Sequence, residues 1–316
     1  MDIPINQIIC GDCLIEMEKL PDACVDFICT DLPFAITDAF WDKGIDLQKF
    51  WQEARRILKP CASAAMFASG NFVYKLHASN AEQYKYKWIW QKNMVTDFVN
   101  AKNRPMRAFE EILMFSNGQV AHAGKSKQRM NYYPQGLISC EFPPRTDPTT
   151  AGGTYCTGFN GKKKTIYRRN GRNNLPTRQH QQGKEYTPSG ISGRGGGNGL
   201  LNHRSELLGK PRPSDRESYI QTQTGYPKDI LTFKVPYNVG KKHPNEKPVD
   251  LLEYLIKTYT QEGELVLDAT CGSGSTCVAA INTNRNFIGI ELEKRFCAVA
   301  QDRINKALAE KQQVLF

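Results

Sequence analysis

The sequence predicts an α/β fold in which a mostly parallel sheet is covered by helices on both faces. Three observations carry that expectation. Short apolar runs alternate with segments of helical period at both ends of the chain. The apolar runs are strand-sized and near-continuous, as expected of strands buried on both faces. A tight glycine turn, Gly272-Ser273-Gly274, joins one such run directly to a helical segment.

Residues 1–118 read as the first block. Ile8-Ile9-Cys10 is a short strand ending at Gly11-Asp12, followed by a helix from Leu14 to Leu20 that Pro21 closes. Val25 to Cys29 is the next strand, and it ends in Thr30-Asp31-Leu32-Pro33-Phe34. Leu47, Phe50, Trp51, Ala54, Ile57 and Leu58 recur at helical spacing until Lys59-Pro60 stops them. Ala62 to Ala68 reads as a buried strand, Asn71 to Ser79 as a short helix, and Tyr84 to Trp90 and Glu110 to Phe115 as further strands.

Residues 119–236 have a different texture. Gly, Pro, Asn, Thr and Arg dominate, and no long hydrophobic period survives. Between Ala121 and Arg212 there are 16 Lys/Arg and only four acids, so the net charge of +10 belongs to this segment and the rest of the chain is slightly acidic. Tyr132, Tyr133, Phe142, Tyr155, Phe159, Tyr167 and Tyr186 are interleaved with the cations. A tether would need neither feature, whereas a polyanion that also stacks on aromatic rings, nucleic acid, uses both.

In residues 237–316 the order returns. Pro248 starts a helix with Val249, Leu251, Leu252, Leu255, Ile256 and Tyr259 on one face. Next come a strand to Asp268, the glycine turn, its helix, a strand ending at Glu291 and a last helix. The turn has two readings, a plain strand-to-helix connection or a ligand loop that brings main-chain N–H groups close to a nucleotide. Glu291 lies 19 residues after Gly272, the spacing of a ribose-binding acid, which favours the ligand loop. One sheet built from both ends of the chain accounts for all the pieces, with the basic segment between them.

Composition narrows the class further. No apolar run is long enough to span a membrane, and the N-terminus lacks the layout of a signal peptide. Ten cysteines without paired spacing suit reduced thiols in a cytoplasmic protein, and no metal is expected. Cys10-Gly11-Asp12-Cys13 spells C-x-x-C but has no second pair at zinc spacing, so two small thiols around a turn is the preferred reading.

With these residues placed, the chain resembles the DNA amino-methyltransferases of the permuted β class. Asp268-Ala269-Thr270-Cys271-Gly272-Ser273-Gly274-Ser275 is similar to the family's cofactor loop, D-P-F-x-G-S-G-T. His243-Pro244-Asn245-Glu246-Lys247-Pro248 matches its H-P-x-x-K-P motif, and Asp31-Leu32-Pro33-Phe34 is similar to its catalytic D-P-P-Y. Leu32 and Phe34 depart from that motif, as Ala269-Thr270 do from the cofactor loop.

The resemblance implies a Rossmann-like, circularly permuted methyltransferase sheet with an inserted target-recognition region. It implies methyl transfer from S-adenosylmethionine to adenine N6 in double-stranded DNA by base flipping. Asp31 and the Leu32 carbonyl would accept the two N–H groups of the target amine, Pro33 would stiffen the turn and Phe34 would stack on the base. Asp12 and Cys13 would read the cofactor's adenine. Gly272, Ser273, Gly274 and Ser275 would pack backbone on its methionine end, Asp268, Thr270 and Cys271 of the same loop would also bind the cofactor, and Glu291 would take its ribose. Asn245 and Lys247 would close over the amino-acid moiety, although Lys247 is equally a structural ion pair. Lys162, Lys163, Lys164, Arg168, Arg169 and Arg172 would contact phosphates. Cytosine-N4 transfer and a non-catalytic DNA-binding scaffold are the alternatives. A cognate restriction endonuclease and a second copy of the chain are the further partners the resemblance suggests.

Overall fold

The computed structural model describes residues 3–34, 44–120, 128–139, 223–236 and 246–314. Two compact units divide the chain: residues 1–137 with 225–316, and residues 138–224. In the second, the described residues form one antiparallel pair, β6 (Ile138–Ser139) with β7 (Gln223–Thr224). The first unit holds the sheet, and it extends beyond the boundaries expected at 118 and 236.

Along the chain the first unit runs β1 (Gln7–Cys10), α1 (Cys13–Glu18), β2 (Val25–Thr30), α2 (Leu47–Ile57), β3 (Leu58–Ala68), α3 (Asn71–Ser79), β4 (Tyr84–Thr96) and β5 (Arg107–Ser116). It resumes with β8 (Ile230–Phe233), α4 (Val249–Tyr259), β9 (Leu265–Asp268), α5 (Ser275–Asn282), β10 (Asn286–Glu291) and α6 (Lys294–Val314). The strand order is β1-β10-β9-β2-β3-β5-β4-β8. The first five strands run parallel, β5 is antiparallel to both β3 and β4, and β8 pairs parallel with β4. The two C-terminal strands β9 and β10 therefore lie between β1 and β2. β8 comes from the segment expected to contain only the recognition region.

Period-two alternation divides the core into two layers. Ile28, Ala64, Met66, Leu113, Leu267 and Ile288 face α1, α2 and α3, which contribute Met17, Phe50, Trp51, Ile57 and Phe72. Phe27, Ala65, Phe67, Ile112, Val266 and Phe287 face α4, α5 and α6, with Leu252, Tyr259, Ala280 and Ile304. Helix ends follow local chemistry. Asp46 caps α2 by accepting from Gln48 N (3.0 Å) and Lys49 N (3.2 Å). Leu58 turns extended just before Pro60. The strand expected from Ala62 begins earlier, at Leu58, because a register shift absorbs the proline: Leu58 pairs with Val25 and Ser63 with Phe27.

Tyr132 and Tyr133, grouped by sequence with the basic segment, are instead tied to α4. Tyr133 N donates to Thr258 O (2.7 Å), and the Tyr132 ring lies 6.1 Å from that of Tyr259. Among the described residues, no helix is long and apolar enough to cross a membrane.

Candidate active site

Parallel strands end on the same side, so the C-terminal ends of β1, β10, β9 and β2 line up, with Cys10 opposite Glu291 and Gly289 opposite Asp268. A cavity of about 650 Å³ opens there. Asp12, Cys13, Asp31, Leu32, Pro33, Phe34, Lys247, Asp268, Thr270, Cys271, Gly272, Ser273, Ser275 and Glu291 all line it. Gly274 stands just behind, as the N-cap of α5. Asn245 and the cations Lys162, Lys163, Lys164, Arg168, Arg169 and Arg172 lie outside the described residues.

The glycine loop requires its glycines locally. Gly272 has φ +53° and Gly274 φ +77°. A Cβ on Gly274 would also lie 2.9 Å from Ala300 Cβ on α6. Arg303 from α6 clamps the loop through Ser273 O (2.9 Å), Ser273 Oγ (2.7 Å) and Ser275 Oγ (3.0 Å), and pairs with Glu246 (2.9 Å). The two Glu291 oxygens are oriented by main-chain donors, Oε2 by Gly272 N (2.8 Å) and Oε1 by Glu293 N (2.9 Å). Burial nevertheless pushes the Glu291 carboxyl up from its ordinary value. Asp12 caps α1 by accepting from Leu14 N at 2.8 Å. Cys13 is buried, which pushes its thiol up to about 12.

Thr270 stands where the resemblance expected phenylalanine, and its hydroxyl joins the two motifs. It donates to Asp31 O (3.0 Å) and meets Thr30 Oγ1 (2.9 Å), while Thr270 N donates to Asp268 Oδ1 (3.2 Å). Burial pushes the Asp268 carboxyl up to about 6, against hydrogen bonds from Thr276, Thr30 and Thr270. Phe34 has one face on Phe72, with ring centroids 4.6 Å apart.

Asp31 heads a buried chain of alternating charges. Lys247 Nζ donates to Asp31 Oδ2 and lies 3.5 Å from Glu110 Oε2, and Lys92 Nζ reaches Glu110 Oε1 at 2.5 Å. Of the two readings left for Lys247, the structure shows the ion pair. Burial by itself would lower Lys247, but the Asp31 and Glu110 carboxylates outweigh it and hold the ammonium above the free-lysine range. Burial pushes Asp31 up, opposed by Lys247 and reinforced by Glu110. Glu110 is lowered, because Lys247 and Lys92 overcome its burial. Asp31 Oδ1 is buried beside the cavity with no hydrogen-bond partner. Sequence reasoning missed Glu110, Lys92, Arg303 and the Thr270 bridge. The only available signal was a charged residue inside a strand-like run, as at Glu110 before Ile112-Leu113-Met114-Phe115.

Fold and site together define a class, a doubly wound sheet with an acidic, glycine-looped cavity for a nucleotide-like cofactor at its strand ends. The chain belongs to the N6/N4 DNA methylase family, whose model matches residues 25–302. It is similar to the Type II methyltransferase M2.DpnII of Streptococcus pneumoniae, at 42% identity over 80 residues, 24% of this chain and 30% of that protein. The matches span about a third of the length of such curated relatives. The PvuII DNA methyltransferase, cytosine-N4-specific, shares the fold with a TM-score of 0.54 at 14% identity, over 98% of this chain and 92% of that one. The M1.HpyAVI–SAM complex does so with a TM-score of 0.51 at 20% identity, over 95% and 98%.

Proposed function

We propose that this chain is a site-specific DNA methyltransferase that moves a methyl group from S-adenosylmethionine to adenine N6 in duplex DNA. The observation that carries this reading is Asp31, with one oxygen held by Lys247 and the other, Oδ1, buried without a partner. A buried acceptor left unpaired costs roughly 1–3 kcal/mol, and an exocyclic N–H entering the cavity would relieve it. The Leu32 carbonyl would accept the second N–H, Pro33 would hold the turn rigid, and Phe34 would offer the base its free face. Duplex DNA does not present that amine, so the base must be flipped out.

The residues present fit S-adenosylmethionine. Glu291 has each oxygen oriented by one amide and keeps lone pairs for two ribose hydroxyls. Gly272, Ser273 and Ser275 line the cavity and would pack against the methionine end, and Asp12 with Cys13 lines the same cavity and would take the adenine. When bound, this cofactor supplies a methyl group on a sulfonium. The chain's part is to hold the amine by Asp31 and Leu32, orient it and draw charge onto its nitrogen.

Asp31, where the family's cytosine enzymes more often carry serine, favours adenine over cytosine N4. The interleaving of β9 and β10 between β1 and β2 supports a permuted order, and residues 138–224, outside the unit that holds the sheet, are proposed as target-recognition region. There Lys162, Lys163, Lys164, Arg168, Arg169 and Arg172 would take phosphates, at a cytoplasmic location where DNA is accessible. A cognate restriction endonuclease and self-association belong to the same proposal.

Incubation of duplex DNA with tritiated-methyl cofactor, followed by nucleoside chromatography, tests the reading. Label in N6-methyladenine is expected, and label confined to N4-methylcytosine would overturn the adenine assignment. Asp31→Ala should bind the cofactor in calorimetry and transfer no methyl group.

A further inference from the structure

The β4–β5 hairpin carries an apolar tip that the site described above does not use. Val99 (93% exposed) and Phe98 (81% exposed) are the two most exposed large apolar side chains among the described residues, and Met94, Val95, Met106 and Phe109 are exposed around them. Exposing this much apolar surface in so short a stretch is costly unless a partner covers it.

The tip is also built to keep its shape. Asp97 stands at φ +77°, and Phe98–Asn100 form a 3-10 turn behind it. Asn100 Nδ2 donates to Asp97 Oδ1 at 2.6 Å, and Arg104 pairs with Asp97 Oδ2 at 2.7 Å. Asn100 O accepts from Asn103 N (2.8 Å) and Arg104 N (3.0 Å). Asp is among the few residues besides glycine that take the left-handed conformation readily, and these hydrogen bonds with the Arg104 pair hold Phe98 and Val99 on a fixed knuckle.

Two features indicate what covers it. Lys102, Arg104 and Arg107 lie at the tip with one acid, Asp97, which Arg104 and Arg107 share, so the tip is net positive and complements a polyanion. The strand segments that lead into the tip, at Lys92, Thr96, Arg107, Phe109 and Glu110, line the cavity that holds Asp31. A duplex whose base entered that cavity would pass alongside the hairpin.

We propose that Phe98 and Val99 form a wedge that enters the base stack of duplex DNA and occupies the gap left by the flipped target base, with Lys102 and Arg104 on the flanking phosphates. This rests on the methyltransferase reading above. Apolar side chains inserted between base steps offset the loss of stacking that keeps a base inside the helix.

The test compares wild type with the double variant Phe98→Ala/Val99→Ala on two oligonucleotide duplexes. Both contain the site that the wild type methylates in plasmid DNA, identified by methylation-aware sequencing. In one the target base is paired, and in the other it faces an abasic position and is already free. The variant should lose about 10- to 100-fold in kcat/KM on the paired duplex yet stay within about twofold of wild type on the abasic one. Calorimetric binding of S-adenosylmethionine should be unchanged, which excludes misfolding. Equal losses on both duplexes, no loss on either, or a change in oligomeric state by sedimentation that shows the tip to be a contact between copies would overturn the wedge. Failure of the wild type to methylate any DNA would instead overturn the reading on which the wedge rests.

Discussion

Replacing Lys247 by methionine tests how the cavity keeps Asp31 charged. The Lys247 ammonium lies between Asp31 and Glu110, with its side chain only 12% exposed. Methionine retains much of the stem's volume and removes the charge, leaving Lys92 alone to serve the cluster. Breaking a buried ion pair by removing one partner costs about 3–5 kcal/mol. If about 3 kcal/mol of that falls on ionised Asp31, its ratio of ionised to protonated form at any given pH drops by about 100-fold, at 1.36 kcal/mol per decade. The direction follows from burial, which already pushes the Asp31 carboxyl upward while Lys247 opposes the rise. Without the ammonium, ionised Asp31 returns only at higher pH. Single-turnover methyl transfer measured across pH should show the acidic limb displaced to higher pH, with the rate recovering at the alkaline end. Lys247→Arg, which keeps the charge, should stay closer to wild type. An acidic limb that stays where it lies in wild type, or an equal loss at every pH with cofactor binding intact, would refute this account of Asp31.

Two further predictions concern the glycine loop. Asp268 has a folded-state carboxyl raised from 3.8 to about 6, so it favours the fold below the lower value and this contribution is lost as pH rises through the upper one. Asp268→Asn keeps an acceptor for Thr270 N and removes that dependence. Its unfolding free energy relative to wild type should improve by about 2.4 kcal/mol between pH 4 and 7, and a difference that does not change with pH would reject the assignment. Gly274→Ala must place a side chain at φ +77° against Ala300 and should lose about 2–3 kcal/mol in denaturant unfolding. A loss below about 0.5 kcal/mol would mean that the loop relaxes freely.

Much of this molecule was legible in its sequence where one residue's neighbours decide its state. Asn71–Ser79 was read to its ends because helical periodicity is local, and the motif segments converged because parallel strands must end together. What escaped depends on tertiary neighbours. Lys92 and Glu110 are charges among several in two strands and become a pair only when the hairpin closes. The register shift that spares Pro60 is visible only against β2. Thr270 reads as a departure from a cofactor loop until its hydroxyl is seen on the Asp31 carbonyl. β8 is four residues within a stretch rich in polar and turn-forming types, too short to show any period.

The interleaved strand order also bears on how the chain can be made. During synthesis β1 and β2 emerge first, but their places in the sheet are separated by β10 and β9. At about 4.8 Å per strand, they stand about 14 Å apart until the last residues arrive to fill the space. Until then β2 keeps an unpaired edge, and the Asp31 turn lacks Thr270, which lies 239 residues further along. The nascent chain is therefore expected to be catalytically silent and most in need of protection from aggregation until β9 inserts. Completion of the sheet and assembly of the site become a single late event.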